Sequence, residues 1–332
     1  MALSHNDYLV GWICALSTEY VAACGLLDTE HPPLPQKSKD NNSYTLGQIG
    51  SHNVVIACLP EGSYGTNLAA SHAQDMLRSF ESIRIGLMVG IGGGAPSKKN
   101  DIRLGDVVVS IPSGQTGGVI QYDCGKSIQS KKFELKGSLP PPPSALLTAL
   151  ATLRKNHEIK GHSIVDTISA MLKKTPRLRR KYGYPGAEND RLYEAEYAHK
   201  DDELSCDECC DATMPPIIQR PDREPDDDRI VVHYGLIASA NQLMKDALLR
   251  DKLIREHKML CFEMEAAGLM TNFPCLVIRG ISDYSDSHKN DLWQGYAAAT
   301  AAAFAKELLN TIPPTQLDAT PRIMEAMQNS TY

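Results

Sequence analysis

Short apolar segments alternate with segments of helical periodicity along the first third of the chain. The apolar segments 9–16, 53–60, 83–92 and 106–112 carry hydrophobic side chains on consecutive positions, which is typical of strands buried on both faces. The segments that follow the first two of them show the spacing of amphipathic helices. The pattern therefore predicts an α/β fold with a largely parallel sheet.

The pattern changes after the breaker LPPPPS. Residues at about 151–229 begin with helical segments and continue as polar, charged sequence punctuated by prolines, which predicts an insertion with little core of its own. The alternation resumes at 230–239 and ends with an alanine-rich helix. We expect one domain over residues 8–309 that contains this insertion, followed by a tail or linker at 310–332.

Composition narrows the class of protein. Hydrophobic residues make up 42% of the 332 positions, and the formal net charge is −6. Proteins that bind nucleic acid without regard to sequence need a basic surface, so the charge disfavours that class. No run of about 18 apolar residues predicts a membrane span, and the N-terminus lacks the features of a signal peptide. Several of the nine cysteines lie in apolar segments, so we expect reduced thiols in a cytoplasmic globular protein.

The glycine-rich segment VGIGGGAP at 89–96 follows a predicted strand. Gly90, Gly92 and Ala95 fit the G-x-G-x-x-A spacing of a dinucleotide fingerprint. That fingerprint leads into a helix and has an acidic partner further on, whereas Pro96 and a polar loop follow here. The favoured interpretation is a backbone that comes close to a ligand at the carboxyl end of a strand, with Gly93 in the same segment.

The sequence CDECC contains Cys206, Cys209 and Cys210. A Cys-x-x-Cys pair is half of a zinc site, which His199 and Cys261 could complete. No second Cys-x-x-Cys and no His-x-His follows in the sequence, so the favoured interpretation is loop thiols without a metal. No cofactor is implied.

Carboxylates stand near strand ends in separate parts of the chain, at Glu19, Glu263, Glu265 and Asp283. Each has a structural alternative as a helix-start charge or a capping residue. In an extended segment Glu263 would share a face with Glu265, whereas a helix that begins at Glu263 would make it a helix-start charge. Residues gathered from several strand ends are how α/β active sites are assembled, so these positions are candidates for one site.

Taken in order, these segments resemble the nucleoside phosphorylase and nucleosidase superfamily. Bacterial methylthioadenosine/S-adenosylhomocysteine nucleosidases and fungal nucleoside-phosphorylase-like domains, some of them in immune-receptor-like proteins, are the similar groups. The matching segments lie within roughly 8–135 and 230–309, and they are ICALSTEY, GSYGTNLAA, MVGIGGGAP, IRLGDVVVS, HYGLIASANQLMKD, FEMEAAGLM and VIRGISDYSD. The resemblance implies a three-layer α/β/α fold with a central mixed, largely parallel β-sheet, and a homo-oligomer.

The resemblance also implies roles in cleaving a purine nucleoside. Asp283 would protonate the purine N7, with Ser282 beside it, and Glu19 would activate the attacking water. Glu265 would hold the ribose 2′- and 3′-hydroxyls, and Met264 would pack against the sugar. These residue types suit the chemistry, because the glycosidic bond breaks through an oxocarbenium-like state and the purine leaves poorly as an anion.

Further positions follow from the same resemblance. Leu243 and Met244 would line the base pocket, where the bacterial nucleosidase has an aromatic ring, and Asn241 stands where the family carries an aspartate. The glycine segment would lie near the nucleophile, through Gly90, Gly92 and Gly93. Glu263 is kept as a second ribose-side carboxylate.

Two nucleophiles are possible, water and phosphate. Bacterial purine phosphorylases bind phosphate through an arginine and a serine at positions that align with Met88 and Ile91, and neither of these side chains binds a dianion. We therefore favour hydrolysis, with adenosine-type nucleosides first. Phosphorolysis remains the alternative, because an arginine could arrive from the insertion or from a neighbouring subunit; the candidates are Arg103, Arg177, Arg179 and Arg220.

A non-catalytic domain that senses purines in an immune-receptor-like system is a second alternative. Such a domain would keep the pocket but has no need for the full catalytic set. The presence of Glu19, Glu265 and Asp283 together disfavours it.

Overall fold

The structure is a computed structural model and describes residues 3–62, 65–126, 129, 134–135, 139–201, 204–210, 216–223 and 228–329. The strands are β1 (Val10–Cys14), β2 (Thr29–His31), β3 (Tyr44–Ile49), β4 (His52–Cys58), β5 (Ile85–Gly94), β6 (Val107–Ser110), β7 (Val119–Gln121), β8 (Gly125–Lys126), β9 (Glu134–Leu135), β10 (Val232–Ser239), β11 (Met259–Glu263) and β12 (Cys275–Asp283). The helices are α1 (Ser17–Gly25), α2 (Thr66–Ser79), α3 (Ser144–Lys160), α4 (Ile164–Lys174), α5 (Arg179–Tyr182), α6 (Cys206–Cys209), α7 (Ala247–His257), α8 (Ala266–Met270), α9 (Gln294–Thr311), α10 (Pro314–Ala319) and α11 (Ile323–Asn329).

The main sheet has the strand order β11-β10-β6-β12-β5-β1-β4-β3-β2, with β7 paired to β10. At its centre β1, β4, β5 and β12 run parallel. The pairs β12–β6, β2–β3 and β3–β4 are antiparallel. The sheet is therefore mixed and largely parallel, as the sequence predicts.

One end of this sheet curls until β11 pairs with β5 as well as with β10. The extra pairing is short and antiparallel, and it sets Phe262 opposite Gly93. Asp283 at the end of β12 is opposite the same glycine. The closure thus gathers the carboxyl ends of β5, β11 and β12 at one place.

Helices cover both faces of the sheet. Successive side chains of a strand point to opposite faces, so Trp12 belongs to the core under α1, α4 and α9, and Ile13 belongs to the core under α2 and α8. The predicted three-layer α/β/α architecture is confirmed. None of the helices in the described part of the chain has the length and the apolar character that crossing a bilayer requires.

The insertion is packed more firmly than its polar sequence indicates. Leu153, Ile168 and Met171 on α3 and α4 are buried in the core that α9 shares. Near its end, Arg223 donates two hydrogen bonds to the buried carboxylate of Asp106, at 2.9 and 2.6 Å. Burial opposes the charged carboxylate, but bonds from His233 and Arg223 outweigh it and lower the pKa of Asp106.

The segment after α9 also differs from the expected tail or linker. It carries α10 and α11, and Ile312, Leu317 and Ile323 are buried against the domain. The backbone N–H of Ile323 donates to the carbonyl of Ile83 at 2.9 Å. Three apolar side chains spaced along a polar stretch are a weak sequence signal, which is why the docking was not predicted.

We predict that Gly280→Ala destabilises the fold. A Cβ at Gly280 would lie against the backbone of Ala297 in α9, within 2.5 Å of its carbonyl carbon, so helix and strand would have to separate. The expected loss is about 1–3 kcal/mol, measured by thermal or urea denaturation. Gly114→Asn is the control, since Gly114 has φ +58° and a Cβ there would meet no atom within 4 Å. An unchanged midpoint for Gly280→Ala would contradict this packing.

Candidate active site

A cavity of about 280 Å³ lies at the carboxyl ends of β1, β5, β11 and β12, and we call it the strand-end cavity. Ten predicted site residues line it: Glu19, Gly92, Gly93, Leu243, Met244, Glu263, Met264, Glu265, Ser282 and Asp283. Its other lining residues are Ala15, Leu16, Ile91, Gln242, Phe262, Ser285, Lys289 and Gln294. Residues distant in the sequence therefore meet at one place, as expected for an α/β site.

Arg279, in the middle of β12, holds three carboxylates of this site together. Its guanidinium lies 3.9 Å from Glu19 Oε1 and 3.5 Å from Glu265 Oε2, and it is in direct contact with Glu263. Burial disfavours a charged arginine, but Glu263, Glu265 and Glu19 outweigh that cost and raise the pKa of Arg279. An arginine inside the apolar segment CLVIRGISD was the sequence signal for this partner, and it was missed.

Glu19 is positioned by the turn between β1 and α1. One carboxylate oxygen accepts hydrogen bonds from the backbone N–H groups of Ala15 and Leu16, at 2.7 and 3.0 Å. The other oxygen accepts from Ile91 N–H at 2.8 Å. Burial raises the pKa of Glu19, although Arg279 and these N–H groups offset part of the rise. The result is a buried carboxylate with an enhanced affinity for a proton, which suits a base.

Glu263 and Glu265 occupy different environments. Glu263 ends β11, and its carboxylate accepts from the backbone N–H groups of Glu265 and Ala266 at 3.0–3.2 Å, at the start of α8. Glu265 is the residue before α8 and makes no capping bond with its side chain. Burial, together with the nearby charge of Glu263, raises the pKa of Glu265 to about 8. The carboxylate of Glu263 is thus occupied by hydrogen bonds within the protein, whereas the carboxyl group of Glu265 lines the cavity and is available to a ligand.

Asp283 forms a second polar cluster in the lining of the cavity. Its carboxylate accepts from Ser282 Oγ at 2.9 Å, from Ser285 N–H at 2.9 Å and from Lys289 Nζ at 2.5 Å. Ser285 has the unusual φ of +55°, and its hydroxyl is buried without a hydrogen-bond partner in the described structure. A strained residue with an unused hydroxyl at a cavity wall is suited to contact a ligand. Sequence reasoning missed both Ser285 and Lys289.

Two glycines of the segment 89–96 make room for these carboxylates. A Cβ at Gly90 would collide with the carboxylate of Glu19 and with Arg279. A Cβ at Gly93 would lie 2.7 Å from Asp283 Oδ1. Gly90 does not line the cavity itself, but it lets Glu19 and Arg279 approach each other beneath it.

Two of the three residues predicted to surround the base line the strand-end cavity, and the third does not. Met244 is buried, and Leu243 is 51% exposed at the cavity wall. Asn241 does not line the cavity, because its side-chain oxygen accepts from the N–H and hydroxyl of Thr66 at 3.1 Å. Phe262 supplies an aromatic ring to the lining.

The arginines considered as phosphate ligands lie elsewhere. Arg103 bonds to Asp101 and Arg220 to Asp190, while Arg179 donates to a backbone carbonyl. Arg177 lines a neighbouring cavity. Among the described residues that line the strand-end cavity, Lys289 carries the one basic side chain.

Known proteins are similar in sequence to this chain, either over nearly all of it or over about a quarter of it. No family model matches it. A nucleotide-binding leucine-rich repeat (NLR)-like protein of Hyaloscypha variabilis is 47% identical over 317 residues, which are 95% of this chain and 30% of that protein. ATP nucleosidase Cap17 of Escherichia coli is 35% identical over 86 residues, 24% of this chain and 17% of that protein. Aminodeoxyfutalosine nucleosidase of Helicobacter pylori is 31% identical over 94 residues, 26% and 41% respectively. The chain spans less than half the length of these relatives.

Solved structures share the fold over nearly the whole chain. Futalosine hydrolase of Helicobacter pylori matches with a TM-score of 0.59 at 17% identity, covering 92% of this chain and 99% of that one. Methylthioadenosine/S-adenosylhomocysteine nucleosidase of Neisseria meningitidis, in complex with methylthio-immucillin-A, matches with a TM-score of 0.56 at 16% identity, covering 91% and 98%. The fold is therefore that of the nucleosidases. The resemblance to the nucleoside phosphorylase and nucleosidase superfamily, predicted from the motifs, is confirmed.

We predict opposite effects of neutralising the two glutamates on stability. Glu263→Gln should destabilise the fold by roughly 1–3 kcal/mol, because it weakens the tightest pair of Arg279. Glu265→Gln should stabilise it by a similar amount near pH 7. The carboxyl group has a pKa of about 8 in the folded chain, so folding at pH 7 must take up a proton that the unfolded chain has released, and this costs free energy. Glutamine has no proton to take up and avoids that cost.

The pH dependence follows from the same pKa. The contribution of Glu265 to the free energy of unfolding is fully present below its ordinary pKa of 4.5 and is lost as the pH rises to about 8. The wild-type melting temperature should fall over this range, and Glu265→Gln should flatten the fall. Melting curves from pH 5 to 9 measure both effects, and shifts of the same sign in the two variants would contradict the assignment.

Proposed function

We propose that this chain hydrolyses the N-glycosidic bond of a purine nucleoside or nucleotide. The observation that carries the proposal is the convergence of Glu19, Glu265 and Asp283 on the strand-end cavity. They come from α1, from the start of α8 and from the end of β12. The nucleosidases among the similar proteins support glycosidic cleavage as the general chemistry.

The ribose is held by Glu265 and Met264. The carboxyl group of Glu265 has a pKa of about 8 in this cavity, and two ribose hydroxyls that donate to it favour its ionised form. The resulting anion lies close to the sugar, so it stabilises the positive charge that develops on the ring as the bond breaks. Met264 provides the apolar surface under the sugar.

The leaving base is protonated at N7 from Asp283. The Lys289 ammonium lies 2.5 Å from this carboxylate and, in this proposal, supplies the proton that Asp283 passes to N7, which leaves Lys289 neutral after the step. Ser282 and Ser285 donate to the same carboxylate and fix its orientation. Phe262 and Met244 offer the surface against which the purine ring packs.

Water is the nucleophile in this proposal. Glu19 accepts a proton from the water while the oxygen bonds to C1′ and the bond to the purine nitrogen breaks. The base leaves with the proton received at N7, so the products are free base and ribose or its 5′-phosphorylated form. The two cations of the described site, Arg279 and Lys289, are already paired with Glu263 and Asp283, which supports water over phosphorolysis.

The substrate includes 5′-phosphorylated purines in this proposal. A second cavity of about 820 Å³, which we call the basic cavity, shares Ser282, Asp283 and Lys289 with the strand-end cavity. Its basic lining residues outnumber its acidic ones, six to four: Arg177, Arg180, Lys181, Arg191, Lys245 and Lys289, against Asp207, Asp283, Asp286 and Asp291. An excess of cations next to the purine site favours a phosphate chain. The similarity to an ATP nucleosidase over 86 residues supports the same class of substrate.

We expect base release that does not need phosphate. The purified chain is incubated with adenosine and with ATP, with and without inorganic phosphate, and free base is measured by chromatography. Glu265→Gln and Asp283→Asn should each lower kcat/KM by about 100-fold or more, and Glu263→Gln should lower it much less.

Three outcomes contradict parts of this proposal. Base release that requires phosphate and yields ribose 1-phosphate would replace hydrolysis with phosphorolysis. Equal losses in Glu263→Gln and Glu265→Gln would show that the ribose contact is wrongly assigned. Binding of purine nucleosides or nucleotides without any turnover by the folded chain would favour the sensing domain of an immune-receptor-like system.

The basic cavity gives a separate prediction about the substrate. The double variant Arg177→Ala/Arg180→Ala should lower kcat/KM for ATP by roughly 10-fold or more, and leave that for adenosine within about twofold. Lys98→Ala/Lys99→Ala, which removes two exposed cations elsewhere, is the matched control. Equal losses for adenosine and ATP would contradict a phosphate-binding role.

A further inference from the structure

Three thiols and an imidazole of the insertion lie near one another, and two of these residues, His199 and Cys206, line the basic cavity. Cys206 and Cys210 are four positions apart and therefore face the same side of the turn formed by α6. The ligand atoms of His199, Cys206 and Cys210 all lie within 4.8 Å of one another. None of the cysteines is in a disulfide.

The spacing is close to that of a tetrahedral zinc site. Zinc binds sulfur at about 2.3 Å and imidazole nitrogen at about 2.0 Å, which sets neighbouring ligand atoms about 3.5–3.8 Å apart. Cys209, the third thiol, has its Sγ 3.2 Å from His199 Nε2. Cys209 does not belong to the group of three ligand atoms within 4.8 Å, so its side chain would have to rotate to bring a third sulfur to the same ion.

The cluster is held in place from both sides. Ser205 donates its backbone N–H and its hydroxyl to Glu208, at 2.8 and 2.6 Å, which fixes the start of α6. On the other side, the backbone N–H of His199 donates to Ser287 Oγ at 2.8 Å. Residues on both segments are thus ordered before any ion binds, which lowers the entropic cost of binding.

A buried polar side chain next to the cluster also lacks hydrogen-bond partners in the described structure. His288 is 6% exposed, and both of its ring nitrogens are without a hydrogen bond in the described structure. Its ring lies 5.3 Å from that of His199, edge to face, and stacks on Tyr193 at 3.9 Å. An orphaned imidazole beside three thiols and a histidine is a second sign that a ligand is bound here.

We propose that His199, Cys206, Cys209 and Cys210 bind a zinc ion in the insertion. Thiolate and imidazole ligands favour zinc over the hard cations magnesium and calcium. The ion would fasten the segment that carries these residues to the loop after β12. Because Lys289 in that loop contacts Asp283, the site would stiffen the wall shared by both cavities. The proposal does not depend on which bond the chain cleaves.

The metal content of the purified chain tests this directly. The affinity tag is removed, the protein is equilibrated with zinc and desalted, and bound metal is measured by mass spectrometry of the elements. One zinc per chain is expected in the wild type and in the control Cys124→Ser, which removes an exposed thiol elsewhere. Cys206→Ser/Cys210→Ser should lose it.

Cobalt gives a second readout that does not depend on activity. Replacing zinc with cobalt should produce the thiolate charge-transfer band and the visible absorption of a tetrahedral site, and His199→Gln should weaken both. The single variant keeps the proposal testable if the double variant does not fold. Chelation should lower the melting temperature of the wild type, and zinc should restore it.

Three results would overturn the site. One is wild-type protein that carries no zinc after equilibration while all nine thiols react as free. A second is a disulfide among Cys206, Cys209 and Cys210 in protein prepared under reducing conditions. The third is equal zinc content in the wild type and in Cys206→Ser/Cys210→Ser, which would reject these ligands.

Discussion

The buried guanidinium of Arg279 is the interaction on which the site depends. It neutralises part of the charge of three glutamates that arrive from α1, β11 and the start of α8. Burial raises the pKa of Glu265 and of Glu19, the charge of Glu263 adds to the rise at Glu265, and the one guanidinium offsets only part of these effects. The arginine thus holds the carboxylates together and leaves two of them poised to exchange protons.

A short strand pairing and two glycines make this arrangement possible. The short pairing of β11 with β5 brings the ends of three strands to the same glycine, and Gly90 leaves space for Glu19 and Arg279 to meet. At the opposite side of β12, Gly280 lets α9 lie against the strand that carries both Arg279 and Asp283. Glycine is therefore used here to bring charged side chains and backbone close together rather than to form turns.

Much of the fold could be predicted from sequence because the central strands are apolar on both faces. β1, β4 and β5 were predicted within a few residues, whereas the last two strands at one end of the sheet, β3 and β2, were not, since their burial is partial. Helix α7 begins at Ala247, where the side chain of Asp246 accepts a hydrogen bond from the N–H of Leu249 and caps the helix. The motifs placed most of the site residues in one cavity, but pairings such as that of Arg279 depend on the three-dimensional neighbourhood.

Two buried carboxylates give the chain opposite responses to pH. Hydrogen bonds from His233 and Arg223 lower the pKa of Asp106, so its stabilising contribution is lost in acid. The raised pKa of Glu265 makes its contribution disappear as the solution becomes alkaline. Without substrate, the protein should therefore be most robust in mildly acidic solution. If the proposed function is right, a bound sugar would shift that optimum upward, because ribose hydroxyls that donate to Glu265 favour its ionised form.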